Sequence, residues 1–148
     1  NRSDSTLQQK FIELTENQFD DKLGYYGKVG DRTVIKNCKI IKDVWIGEDV
    51  WIDNLAKVTI KDNVCISQGC LLLCGNHNYK KTSFDLITGE ITFEEGSWAG
   101  AKTVICPGVR LGKNSLLTVG SIATSSLEEN WIYQGNPAKK LKLRVLKN

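Results

Sequence analysis

Aliphatic residues recur at every sixth position along most of this chain. From Val34 the series runs Ile40, Ile46 and Ile52; a second block gives Ile60, Ile66 and Leu72; a third gives Ala99, Ile105, Leu111, Leu117 and Ala123. Two positions earlier stand Arg32, Cys38, Val44, Val50, Val58, Val64, Cys70, Ser97, Thr103, Val109, Ser115 and Ser121, of which all but Arg32 are Val, Cys, Ser or Thr. A helix repeats at 3.6 residues and a plain strand at 2, so a strict six with one large and one small inward residue demands a short strand followed by a corner. Turn-forming residues fall where the corners should be: Gly47-Glu48-Asp49, Lys61-Asp62-Asn63, Ser67-Gln68-Gly69, Pro107-Gly108 and Gly112-Lys113-Asn114. Three sides close a triangular coil, and twelve hexads make about four coils stacked at roughly 4.8 Å. The predicted fold is all-β, a parallel β-helix solenoid whose stacked stripes bury what one hexad cannot.

Solenoid ends need caps. Leu7, Phe11, Ile12 and Leu14 stand near helical spacing between Thr6 and Phe19, which predicts a short N-terminal capping helix. The chain thus divides into an N-terminal helical cap (1–29), the β-helix (30–127) and a C-terminal extension (128–148). From Leu72 to Ala99 is 27 residues where the pattern asks for six, so about 21 residues leave the coil. This excursion, placed at 74–96, is the kind of long loop that usually carries function. It holds Asn76-His77-Asn78-Tyr79, with the only histidine of the chain.

Composition narrows the function classes. A net charge of +3 from 20 Lys and Arg against 17 Asp and Glu is too small and dispersed to argue for nucleic acid. No apolar run approaches the roughly 20 residues of a membrane span, and the first twenty residues lack the apolar core of a signal peptide. Five scattered cysteines suit a reducing compartment, so a cytoplasmic location is expected. Cys38 and Cys70 occupy small inward positions of the repeat. Cys74-x-x-His77 offers no second ligand pair, so no metal is expected.

The stretches WIGEDVWIDNLAKVTI (45–60), ISQGCLLLCGNHNYKKTSFDL (66–86), WAGAKTVICPGVRLGKNSLLTVGSIAT (98–124) and IYQGNPAKK (132–140) resemble the hexapeptide-repeat acetyltransferases. The likeness is to the branch associated with colanic acid and other bacterial exopolysaccharides. The resemblance implies a left-handed β-helix, a homotrimer, acetyl-CoA as donor and a sugar hydroxyl as acceptor. Handedness comes from the resemblance alone, since ordinary crossover statistics favour the opposite hand.

The resemblance makes His77 the general base, because attack of a hydroxyl on a thioester requires its proton to be removed and imidazole titrates near neutrality. An orienting carboxylate or backbone carbonyl should fix the tautomer, and Asp85 is the nearest downstream acid. Asp53, Asn54 and Asp85 are the candidate acceptor contacts. Trp98, Ala101, Val119, Gly120 and Thr124 are placed along the pantetheine, with Lys139 and Lys142 near the phosphates. Ser125 stands where many relatives carry Lys, which removes one expected phosphate contact. Oxyanion donors are backbone N–H groups that no side chain marks. Three other functions compete with O-acetylation. They are N-acetylation of an aminosugar, a zinc enzyme on the same coil (which needs several histidines), and a non-catalytic β-helix that only assembles.

Overall fold

The computed structural model describes residues 26–28, 33–35, 44–53 and 55–148. The predicted capping helix, Arg32, Cys38, Ile40 and Asn54 lie outside them. Among the described residues every regular element is a strand.

The strands form three flat faces. The Trp51 face holds β1 (Tyr26–Lys28), β4 (Glu48–Asp53), β7 (Leu71–Leu73), β12 (Val104–Ile105) and β15 (Ile122–Ala123), hydrogen-bonded in that order. The Thr59 face runs β2 (Thr33–Ile35), β5 (Val58–Ile60), β10 (Ile91–Phe93) and β13 (Arg110–Leu111). The Trp98 face runs β3 (Trp45–Ile46), β6 (Cys65–Ile66), β11 (Trp98–Ala99) and β14 (Leu116–Leu117), then β16 (Trp131–Gly135) and β17 (Ala138–Leu143). All pairings in the faces are parallel except β16 with β17. The chain visits the Trp98, Trp51 and Thr59 faces in turn, one hexad each. The predicted C-terminal extension therefore continues the coil through β16, and β17 folds back along its edge.

The interior follows the hexad. Ile46, Ile52, Ile60, Ile66, Leu72, Ala99, Ile105, Leu111, Leu117 and Ala123 are all buried, as are their partners two residues earlier from Val44 to Ser121. Of the four inward hydroxyls, Ser115 Oγ is buried without a hydrogen-bond partner and Ser121 Oγ accepts Gly135 N–H at 3.0 Å, whereas Ser97 Oγ and Thr103 Oγ1 donate to the corner carbonyl three residues back, Glu94 O at 2.7 Å and Gly100 O at 2.9 Å. Such pairing offsets the cost of burying a hydroxyl in an apolar coil.

Two expectations are corrected. The register pairs Ile35, not Val34, with Ile60, so the first hexad is shifted by one. The excursion is also shorter than 74–96, because β10 returns to the Thr59 face between β5 and β13. Phe93 is a further inward residue: 21 positions separate it from Leu72 and six belong to the repeat, leaving 15 inserted rather than 21. Phe93 escaped notice because an aromatic there breaks the aliphatic series. It fits because its own turn of the coil carries only Ala99 on the next side, conserving core volume.

Corners repeat one geometry. The residue just before a small inward position lies in the left-handed region at Asp49, Asn63, Gly69, Gly96, Lys102, Gly108, Asn114 and Gly120, as the third residue of a type II turn requires, though not at Lys57 before Val58. Lys102, with φ 56°, is the one without glycine's freedom or an Asn or Asp side chain. Lys102→Gly is expected to stabilise the fold by about 0.5–1 kcal/mol, the relief of left-handed strain less the entropy glycine adds to the unfolded chain. An unchanged or lower urea midpoint would contradict it.

Candidate active site

The candidate residues gather at two edges of the Trp51 face. At the first, the Trp98 face turns into the Trp51 face, and successive corners stack through Gly69 N to Glu48 O (2.8 Å), Lys102 N to Gln68 O (2.9 Å) and Gly120 N to Ala101 O (2.9 Å). A groove of about 470 Å³ runs along this edge, lined by residues including Ser67, Trp98, Gly100, Ala101, Thr118 and Val119. That volume is typical of a small-ligand site. Trp98 Nε1 donates to Ser67 Oγ at 2.8 Å, which pins the indole along the wall. Gly100 has no room for a side chain, since a Cβ there would lie 2.8 Å from Leu117 O.

Trp98, Ala101 and Val119 therefore line one groove, and Gly120 forms the corner beside Val119 with φ 69°. Thr124 does not join them. It follows β15 and sits at the opposite edge of the Trp51 face. Lys139 pairs in register with Gln134, and Lys142 with Ile132, which continues the outward column Trp98–Leu116–Ile132. Residues opposite one another in adjacent strands share a face, so both lysines belong to the outer Trp98 face, toward one end of the groove.

The second edge carries the excursion. β8 (Gly75–His77) and β9 (Leu86–Thr88) form an antiparallel hairpin rooted after β7. His77 is exposed, and its Nδ1 lies 2.9 Å from the Phe84 carbonyl oxygen. A carbonyl only accepts, so Nδ1 carries the proton and the neutral ring keeps its lone pair on Nε2. Asp85 takes no part in this. Its carboxylate pairs with Lys81 Nζ at 3.4 Å and its carbonyl accepts Asn78 N–H. Of the two expected kinds of partner, a carboxylate or a backbone carbonyl, it is the carbonyl of Phe84, one residue before Asp85, that lies within hydrogen-bond distance. Phe84 was not singled out at all; the only hint was an aromatic ring in a polar loop.

Asp53 ends β4 at the root of the hairpin. A Cβ placed on Gly75 would lie 3.3 Å from Asp53 Oδ2. Gly75 and His77, two apart on one strand, point to the same side and stand roughly 7 Å apart. The Asp53 carboxylate and the imidazole thus share one side of β8, with Leu55 Cδ1 packed nearest to Gly75 there.

Burial and ion pairs shift three further titratable groups. Burial opposes ionisation of Glu94, yet Lys61 Nζ at 2.5 Å and Arg110 Nε at 2.9 Å outweigh it and hold the carboxyl below the usual range. Burial pushes the Cys70 thiol up, and its Sγ contacts Gly100 O at 3.0 Å. Burial likewise raises Cys106. Cys74 is buried in the core, away from the solvent access that a reactive thiolate needs. Among the described residues no group of three His, Cys, Asp or Glu is placed to hold a metal, and no helix is long and apolar enough to cross a membrane.

Comparison with known proteins bears on both fold and sequence. An Escherichia coli protein described as the colanic acid biosynthesis acetyltransferase WcaF is 31% identical over 91 residues, 62% of this chain and 50% of its own length. The galactoside O-acetyltransferase of Escherichia coli is 33% identical over 57% of this chain and 43% of its own. The chain spans about half the length of these curated relatives. A hexapeptide-repeat acetyltransferase of Vibrio cholerae, solved with acetyl-coenzyme A, superposes with a TM-score of 0.70 over 99% of this chain and 93% of its own, at 19% identity. The fold is that of the hexapeptide-repeat acetyltransferases. A galactoside acetyltransferase in complex with coenzyme A shares this hexapeptide-repeat fold at a TM-score of 0.65 and 18% identity, over 93% of this chain and 79% of its own. An N-acyltransferase of Bacillus cereus, AntD, shares it at 0.59 and 17%, over 88% and 91%. No family model matches the chain.

Proposed function

We propose that this chain is an acetyl-CoA-dependent O-acetyltransferase acting on a sugar hydroxyl in bacterial polysaccharide biosynthesis. The observation that carries the reading is the Nδ1 contact of His77 with the Phe84 carbonyl, which leaves Nε2 as an exposed base on the side shared with Asp53. The groove of about 470 Å³ beside Trp98, Ala101 and Val119 suits the extended pantetheine of the donor, and Lys139 and Lys142 suit its phosphates. Small residues at that corner allow the close approach a narrow ligand needs.

The reaction follows from these placements. The acceptor hydroxyl, oriented by Asp53, gives its proton to His77 Nε2 as its oxygen attacks the thioester carbonyl. Collapse of the tetrahedral intermediate breaks the C–S bond, and the imidazolium returns the proton to the departing coenzyme A sulfur. The acetyl group ends on the sugar oxygen and the base is restored.

The groove and His77 occupy opposite edges of the Trp51 face, and Thr124 lies at the histidine's edge. One donor molecule reaches all of them only where two copies of the chain meet. The outward column Trp51, Leu71, Val104 and Ile122 between those edges is wholly apolar, with Trp51 44% exposed, the composition of an interface. A left-handed homotrimer packed through this face completes the proposal.

A thiol-release assay with acetyl-CoA across fucose-, galactose- and glucose-containing oligosaccharides tests it. Turnover restricted to dTDP- or UDP-aminosugars would instead assign N-acetylation, the reading that the likeness to AntD favours. Absence of coenzyme A binding at millimolar concentration would leave only an assembly role.

A further inference from the structure

We propose that Phe84 is the positioning residue of His77, acting through its backbone and its ring separately. The inference rests on His77 being the base of the proposed reaction. Phe84 has φ 51°, a conformation that bulky side chains rarely adopt, and its ring is 55% exposed. The backbone conformation costs free energy, and the exposed side chain contributes little to the core. Both converge on one partner.

The left-handed backbone turns the Phe84 carbonyl to His77 Nδ1 at 2.9 Å, while Phe84 N–H closes the preceding turn onto Lys81 O at 3.0 Å. The phenyl ring stacks on the imidazole with centroids 4.2 Å apart and planes 5° from parallel. The carbonyl decides which nitrogen is protonated. The stack decides the plane in which the Nε2 lone pair points. Strained backbone conformations held by surrounding structure are a recurrent feature of active sites, and here the strain has a specific product, an imidazole fixed in tautomer and orientation before substrate arrives.

The chain has one histidine, so ¹⁵N labelling of histidine gives a single imidazole spin system and reads the tautomer without any turnover. In wild-type protein at alkaline pH the neutral ring is expected to carry its proton on Nδ1. Phe84→Tyr keeps that signature. Phe84→Val, which resists the left-handed region, shifts the ring toward the Nε2–H form. Phe84→Gly keeps the carbonyl in place and the tautomer with it, but loses the stack, lowering kcat about 3- to 10-fold with the KM for acetyl-CoA unchanged. An Nε2–H ring in wild-type protein overturns the proposal outright, whether or not any variant folds. A folded Phe84→Val with the wild-type tautomer overturns the backbone role, and wild-type kcat in Phe84→Gly overturns the role of the ring. Activity persisting in His77→Ala would defeat the catalytic reading while leaving the tautomer result standing, so the two failures are distinguishable.

Discussion

Replacing His77 by alanine is expected to lower kcat by at least about 100-fold while leaving coenzyme A affinity nearly unchanged, since general-base catalysis contributes roughly 10²–10⁴. The separation of effects follows from the architecture. His77 stands on the β8–β9 hairpin, whereas Trp98, Ala101 and Val119 line a groove on the corners between β6 and β7, β11 and β12, and β14 and β15. Removing the imidazole changes nothing on those corners. The hairpin itself persists, because β8 and β9 are held by their own register from Gly75–Thr88 to His77–Leu86. Steady-state kinetics with acetyl-CoA and a competent sugar acceptor, together with calorimetric titration of coenzyme A, separates the two quantities. Wild-type turnover in the variant would end the mechanism. A loss of coenzyme A affinity as large as the loss of rate would show that His77 serves binding rather than proton transfer.

The second expected result is recovery of activity from two inactive proteins. His77→Ala removes the base, and Val119→Trp fills the groove at a residue that is 73% exposed and so tolerates a larger side chain without disturbing the coil. If each site combines the His77 edge of one subunit with the Val119 edge of its neighbour, a working interface needs the Trp change on the first and the Ala change on the second. Random co-refolding at equal amounts gives one half times one half, about a quarter of wild-type activity, in a cyclic trimer of about 50 kDa, three times the 16.5 kDa chain. Either variant refolded alone stays inactive. Absence of recovery in verified mixed trimers would assign both residues to one subunit, and a light-scattering mass near that of one chain would rule out the trimer altogether.

How far the sequence reached can be read from particular residues. The period of six determined the coil, because a buried stripe repeated at that interval has one economical solution, three short strands and three corners per turn. Ile46 through Ala123 went to the interior for that reason, and the corner residues from Asp49 to Gly120 took the left-handed geometry their positions demand. The reading failed at two places. Phe93 was read as part of a loop although it fills the coil opposite Ala99, and the first hexad was misphased by one because Val34 and Ile35 serve equally well as apolar letters. Resemblance, not periodicity, pointed to Trp98, Ala101 and Val119. Only the stacking of coils showed that residues some twenty positions apart form one groove, and that Thr124 stands at the other edge. The histidine's surroundings were the least legible. A side chain that orients another by charge leaves an acid in the sequence, which is why Asp85 drew attention. A backbone carbonyl leaves no trace there, since every residue has one, and which carbonyl meets Nδ1 depends on the dihedral angles of the hairpin tip. Composition and spacing thus determined the solenoid, whose stability is local and repetitive. The tertiary structure alone decided how Phe84 presents itself to His77, because hydrogen-bond direction is a property of backbone geometry and not of residue type.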